Sequence, residues 1–228
     1  MVTAGIPAMK EASADSRIAE RRQPGLRLLV LGATGGTGRA LLEQGRKEGH
    51  RITALARSPQ KLAGIGEGVT VRPGDPHSVA ELRAALPGHD AVLSALGPPG
   101  LGRTTLLGDC AASTVAAMQA AGVRRLLVVS AAVLFPDAPF AWLPRRTFLR
   151  NVARDSAEME RIVVASGLNW TIARPPRLTN GPVTGRYRVE DGRLPRRGIF
   201  ISRADVAHFL LGELEHGKHL RQIVGLAR

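Results

Sequence analysis

The stretch Gly32-Ala33-Thr34-Gly35-Gly36-Thr37-Gly38 constrains this chain more than any other. It follows a short apolar run, Leu28-Leu29-Val30-Leu31, which suits a strand buried on both faces. It opens a helical pattern over Thr37–Glu48, with Ala40, Leu41 and Leu42 on the inner face and Gly49 at the end. An ordinary strand–helix turn needs one glycine; this one has four. Gly32 permits a tight turn, Gly35 lets the main chain approach a pyrophosphate closely, and Gly38 lets helix and strand pack together. The unpaired N–H groups at the positive end of the helix dipole, those of Gly36 and Thr37 among them with Thr34 beside them, then face the phosphates.

The same strand–turn–helix rhythm continues. Ile52–Ala56, Val69–Arg72, Ala91–Ala95, Leu126–Ser130, Trp170–Arg174 and Gln222–Leu226 read as strands. Ser78–Leu86, Thr104–Ala121, Phe148–Ser166 and Arg203–Glu213 read as helices. Alternation of this kind predicts an α/β fold, a Rossmann-like doubly wound parallel sheet with helices on both faces. At 228 residues and 44% apolar, the chain suits one such domain over residues 26–228. Residues 1–25 lack apolar periodicity and read as a flexible N-terminal extension. They have no secretory apolar core, and Glu11, Asp15 and Glu20 are unusual for a mitochondrial presequence. No apolar run is long enough for a membrane span, so a cytoplasmic protein is expected.

The end of the second strand discriminates between cofactors. An NAD site carries a carboxylate about 20 residues beyond the glycines, to bind the ribose 2′-hydroxyl. Here Arg57 stands at that place and Lys61 follows one turn later. A guanidinium suits a 2′-phosphate, so NADP(H) is the expected cofactor. After the third strand, Asp75 either accepts from the adenine amino group or caps the helix near Ser78. The fourth strand ends in Ser94-Ala95-Leu96-Gly97-Pro98-Pro99-Gly100, a stiff turn on the edge where the ribose would lie.

Together with Ser166-Gly167-Leu168-Asn169-Trp170-Thr171-Ile172-Ala173-Arg174-Pro175-Pro176, Gly181–Val189, Asp191-Gly192-Arg193 and Ile201–Phe209, these residues resemble the atypical short-chain dehydrogenase/reductases over about residues 26–228. Within them the chain is most similar to the biliverdin IXβ/flavin reductases and their NAD(P)H-binding, NmrA-like relatives. The resemblance implies cofactor contacts at the 32–38 turn, Arg57, Lys61, Asp75, Pro76, Leu96, Gly97 and Val129. It also implies hydride transfer to a small conjugated acceptor such as a flavin, quinone or linear tetrapyrrole. The chain departs from the carbonyl-reducing members, which use a Tyr-x-x-x-Lys pair: its only tyrosine is Tyr187, and the helix before Ser166 carries Val152 and Ser156 instead. A serine and a histidine of the biliverdin enzymes are matched by Ala131, beside Ser130, and by Arg177.

Ser130 and Arg177 are therefore the candidate catalytic residues. The alternative is a non-catalytic NADP(H)-sensing regulator of NmrA type. Two loops would face the acceptor: Phe135–Arg146, with Phe140, Trp142, Arg145 and Arg146, and Pro175–Gly185, with Arg177, Thr179 and Asn180. Six scattered histidines and one cysteine, Cys110, predict no metal site and a buried thiol. A net charge of +13 predicts affinity for anions. Eight aromatic residues and the lack of a recognised motif argue against nucleic acid. A monomer or small homo-oligomer is expected.

Overall fold

Each apolar run of the sequence becomes a strand of one sheet, in a computed structural model that describes residues 25–98, 100, 102–136 and 150–228. The strands are β1 (Arg27–Leu31), β2 (Arg51–Ala56), β3 (Val69–Pro73), β4 (Ala91–Ser94), β5 (Arg125–Val129), β6 (Asn169–Arg174), β7 (Arg177–Thr179), β8 (Arg188–Asp191), β9 (Phe200–Ser202) and β10 (Gln222–Ala227). The helices are α1 (Gly36–Lys47), α2 (Val79–Ala85), α3 (Leu106–Ala121), α4 (Arg150–Ala165) and α5 (Arg203–His216). The expected extension lies outside the described residues except for Gly25, as do Phe140, Trp142, Arg145 and Arg146.

The main sheet runs β3-β2-β1-β4-β5-β6-β10-β8. Its first seven strands are parallel. The last pair departs from the expected all-parallel sheet, because β8 lies antiparallel to β10, Val224 opposite Asp191. Short runs of mixed polarity such as Arg188-Val189-Glu190-Asp191 carry little periodic signal, which is why β7, β8 and β9 are not legible as strands. The last two of the missed strands to be placed, β7 and β9, pair with each other as a separate parallel ribbon.

Period-two alternation sends the strand residues to opposite faces. Leu28, Val30, Ala54, Leu93 and Leu127 pack with Leu41 of α1 and Val206 and Leu210 of α5. Leu29, Leu31, Val92, Leu126 and Ile172 pack with Leu82, Met118, Met159 and Val163 of α2, α3 and α4. Chain order reverses between β1 and β4, the place where an open α/β sheet leaves a crevice at the carboxyl ends of its strands. Among the described residues no helix is long and apolar enough to cross a membrane.

Candidate functional site

The glycine turn sits in that crevice. Gly32 has φ +75°, and a Cβ there would lie 2.5 Å from the Ala95 carbonyl oxygen, so β1 and the end of β4 meet main chain to main chain. A Cβ on Gly38 would come within 2.2 Å of the Gly32 carbonyl oxygen, which sets how closely α1 approaches the turn. Gly35 caps α1 with extended backbone and no side-chain hydrogen bond, and the first turn of α1 has no acid. The Cβ missing from Gly35 would meet only the Gly32 oxygen, at 3.3 Å, and otherwise stands in open space. Bare N–H groups, a dipole with no countercharge and room where a side chain would be suit a pyrophosphate. Thr37 is buried beneath the turn and Thr34 is half-buried on it.

Two arginines hold the turn to its neighbours. Arg39 donates from Nε to the Thr34 carbonyl at 3.4 Å and from its guanidinium to the Lys61 carbonyl. This ties the short helix Pro59–Leu62 to the glycine turn. Arg203, at the start of α5, donates to Asn180 Oδ1 at 2.7 Å and to the Leu178 carbonyl at 3.4 Å. Its side chain lies across Gly36, where a Cβ would stand 2.5 Å from the arginine Cδ. A positive charge thus bridges the glycine turn and the loop after β7.

Arg57 and Lys61 are exposed beyond β2. The Gly74 N–H donates to Ala56 at 3.1 Å, which brings the end of β3 beside Arg57. Asp75 Oδ1 accepts from the His77 main-chain N–H at 3.0 Å and pairs with His77 Nδ1 at 2.9 Å. Partial burial pushes the Asp75 carboxyl up, but the His77 contacts and the Arg57 charge outweigh it and leave it below the usual value. Ser78, not Asp75, caps α2, accepting from the Glu81 N–H at 3.2 Å. Pro76 is buried, Leu96 half-buried and Gly97 exposed at the mouth of the crevice. Val129 is 9% exposed and its side chain belongs to the core beneath the site.

Ser130 and Arg177 do not meet. Ser130 Oγ donates to Glu160 Oε1 at 2.5 Å, whereas Arg177 is exposed at the start of β7. Glu160, 4% exposed on α4, is gripped by Arg174 from the end of β6: Nε to Oε1 at 2.9 Å and a terminal nitrogen to Oε2 at 2.5 Å. The Arg174 guanidinium also covers the Phe135 ring, 4.6 Å from its centroid. Serine, glutamate and arginine form one part-buried network where β5 and β6 end. With its proton committed to a carboxylate, the Ser130 hydroxyl can only accept from a ligand above it.

A family model described as NAD(P)H-binding matches residues 32–217. The chain belongs to this NAD(P)H-binding family. Among its relatives is the uncharacterized sugar epimerase YhfK of Bacillus subtilis (strain 168), 31% identical over 200 residues that cover 83% of this chain and 88% of that one. A Streptomyces griseus (4-alkanoyl-5-oxo-2,5-dihydrofuran-3-yl)methyl phosphate reductase is 37% identical over 149 residues, 65% of this chain but 46% of the longer relative. Among solved structures, SP1627 of Streptococcus pneumoniae TIGR4, described as a candidate NADH-flavin reductase, superposes with TM-score 0.69 at 27% identity. That match covers 90% of this chain and 100% of the other.

Four side chains of this NAD(P)H-binding domain escape sequence reasoning: Arg39, Glu160, Arg174 and Arg203. Glu160 had a signal, since it shares a helix face with the buried Ala153, Ser156, Met159 and Val163, where an acid must have a partner. Asp205 is a further buried carboxylate, 1% exposed, and it shapes the rim. It accepts from the Thr184 N–H at 2.7 Å, the Thr184 hydroxyl at 2.9 Å and the Gly185 N–H at 3.0 Å, pinning the loop after β7 to α5. Burial raises its carboxyl, but the hydrogen bonds from Thr184, Gly185 and Ser202 hold it below the ordinary aspartate value. A depressed folded-state value means stability that is complete above the unfolded value, near pH 4, and lost as pH falls through the folded one. The urea midpoint of wild type should therefore fall more steeply below about pH 4 than that of Asp205→Asn. Parallel acid limbs in the two proteins would remove Asp205 as a source.

Proposed function

We propose that this chain is an NADPH-dependent reductase that delivers hydride to a flat, conjugated acceptor, a flavin, quinone or linear tetrapyrrole, as the resemblance to biliverdin IXβ/flavin reductases implies. The observation that carries this reading is the make-up of the β5–β6 edge. Among the described residues there, the one hydroxyl is bound to a buried glutamate, so nothing is poised to protonate a developing alkoxide. The only tyrosine is engaged elsewhere: the Tyr187 hydroxyl pairs with His208 Nδ1 at 2.8 Å, and burial pushes it up to about 12. Positioned acids contribute roughly 10²–10⁴-fold to carbonyl reduction. A conjugated acceptor is electrophilic already and takes its proton from solvent, so the task left to the protein is orientation.

NADPH, when bound, supplies the hydride. The 32–38 turn and α1 would hold its pyrophosphate, with Arg203 as countercharge, while Arg57 and Lys61 take the 2′-phosphate. Asp75 and Pro76 border the adenine end, and Leu96, Gly97 and the strand end at Val129 and Ser130 the nicotinamide end. Ser130, held as an acceptor, suits the amide N–H of a nicotinamide. Arg177, exposed on the far rim, suits an anionic group of the acceptor.

The test is loss of NADPH absorbance with riboflavin, FMN, quinones, biliverdin and, prompted by the Streptomyces relative, a phosphorylated oxo-dihydrofuran. Turnover with at least one is expected. NADPH that binds tightly and is oxidised by none would establish the NADP(H)-sensing regulator instead. Arg57→Ala should weaken NADPH by roughly 10–100-fold, the worth of a charge-assisted contact, and leave NADH within about 2-fold. Equal losses for both would refute the 2′-phosphate role.

A further inference from the structure

A second concentration of positive charge lies on the opposite edge of the sheet, where β1, β2 and β3 begin. Arg27 and Arg51 open β1 and β2 and stand directly opposite each other in register. They border a cleft of about 380 Å³ whose wall also includes Thr53, Thr70, His89 and Gly68, and no carboxylate. Like charges facing across neighbouring strands repel, and a chain gains nothing structural from placing them so. Neither guanidinium has an acidic partner or a hydrogen bond among the described residues. Asp90 is turned to the main chain instead, accepting the Arg27 N–H at 2.7 Å.

The backbone around the cleft makes room for these cations. Gly88 has φ +79°, and a Cβ there would stand 3.2 Å from an Arg27 guanidinium nitrogen. Gly68 has φ +88°, and Arg46 of α1 lies across it, its Cγ 3.2 Å from the Cβ position. His89 Nε2 is bonded to Thr53 Oγ1 at 2.9 Å, which fixes the hydroxyl in the wall. The volume exceeds that of a bare oxyanion and falls in the range of small-molecule pockets.

From this arrangement we propose that the cleft is an anion site for the phosphate group of a small phosphorylated molecule, distinct from the glycine turn. Two guanidiniums from adjacent strands would flank the phosphate, with the Thr70 hydroxyl donating to another of its oxygens. Binding there removes the repulsion between Arg27 and Arg51, so the occupied state is the more stable one.

The test uses the full chain saturated with NADP⁺, so that the glycine turn is taken, and inorganic phosphate as probe against sodium chloride at equal ionic strength. At ten times its Kd, one bound phosphate raises Tm by about 3–6 °C. The variant carrying both Arg27→Gln and Arg51→Gln should lose that rise, keep the NADP⁺-induced rise, and melt no lower than wild type without phosphate. Should that variant not fold, Arg27→Gln alone and Arg51→Gln alone each shift the phosphate midpoint to higher concentration by several-fold. Chloride reproducing the rise, or the variants keeping it, would overturn the site.

Discussion

Glu160→Ala is expected to melt on the order of 10 °C below wild type. Removing one member of a buried ion pair strands the other, at a cost of about 3–5 kcal/mol, and a domain of this size loses roughly 2–4 °C per kcal/mol. Here the stranded group is Arg174, 14% exposed at its side chain, with two of its nitrogens aimed at the lost carboxylate. Thermal unfolding of Glu160→Ala, Arg174→Ala and the double variant checks it. The double variant should lose much less than the sum of the two, because no charge is then left without a partner. Additive losses would mean that the pair is not coupled. Glu160→Ala also releases Ser130 from its short bond, so any effect on cofactor affinity beyond that of Ser130→Ala measures what orientation of the hydroxyl contributes.

The glycine turn offers the second large effect, and it separates two roles that sequence alone joins. Gly38→Ala forces a methyl to within 2.2 Å of the Gly32 oxygen and 2.6 Å of the Ala33 Cα. Main chain cannot yield to that without opening the turn. We expect a stability loss of about 1–3 kcal/mol together with loss of measurable nucleotide binding. Gly35→Ala meets one atom at 3.3 Å in a backbone conformation open to alanine. Its melting temperature should stay within about 2 °C of wild type, while nucleotide affinity falls at least about 10-fold because the methyl fills the approach to the phosphates. Thermal melts paired with titrations of NADPH distinguish the two. A Gly35→Ala protein that binds normally would show that the phosphates do not pass there.

Legibility followed physics. The strands of the main sheet from β1 to β6, and β10, are readable because each is apolar or alternates with apolar residues and is closed by a turn or a charge, and their ends fall within one residue of those expected. The glycine turn was readable because each glycine answers a separate steric demand. The antiparallel β8 was not, since its polar residues reveal neither period nor direction. Ser130 is legible as a hydroxyl at a strand end, but its partner Glu160 is 30 positions later and Arg174 a further 14. Pairings between distant polar residues leave no local pattern, and only the fold brings them together. Asp75 shows the limit at short range: a helix-capping role is chemically sound for it, yet Ser78 takes the cap while Asp75 Oδ1 accepts from His77.

The two outermost strands of the sheet bear on how this molecule behaves in a crowd. An unpaired strand edge is a template for other chains and a seed for fibres. At one end β3 carries Pro73, which has no N–H to offer, and the exposed Arg72. At the other, β8 is four residues long and holds Arg188, Glu190 and Asp191, with Arg193 closing on Glu190 at 2.6 Å. Short and charged, β8 ends the ladder with an edge poorly suited to a further strand. Both edges thus disfavour extension of the sheet from one copy of the chain into the next.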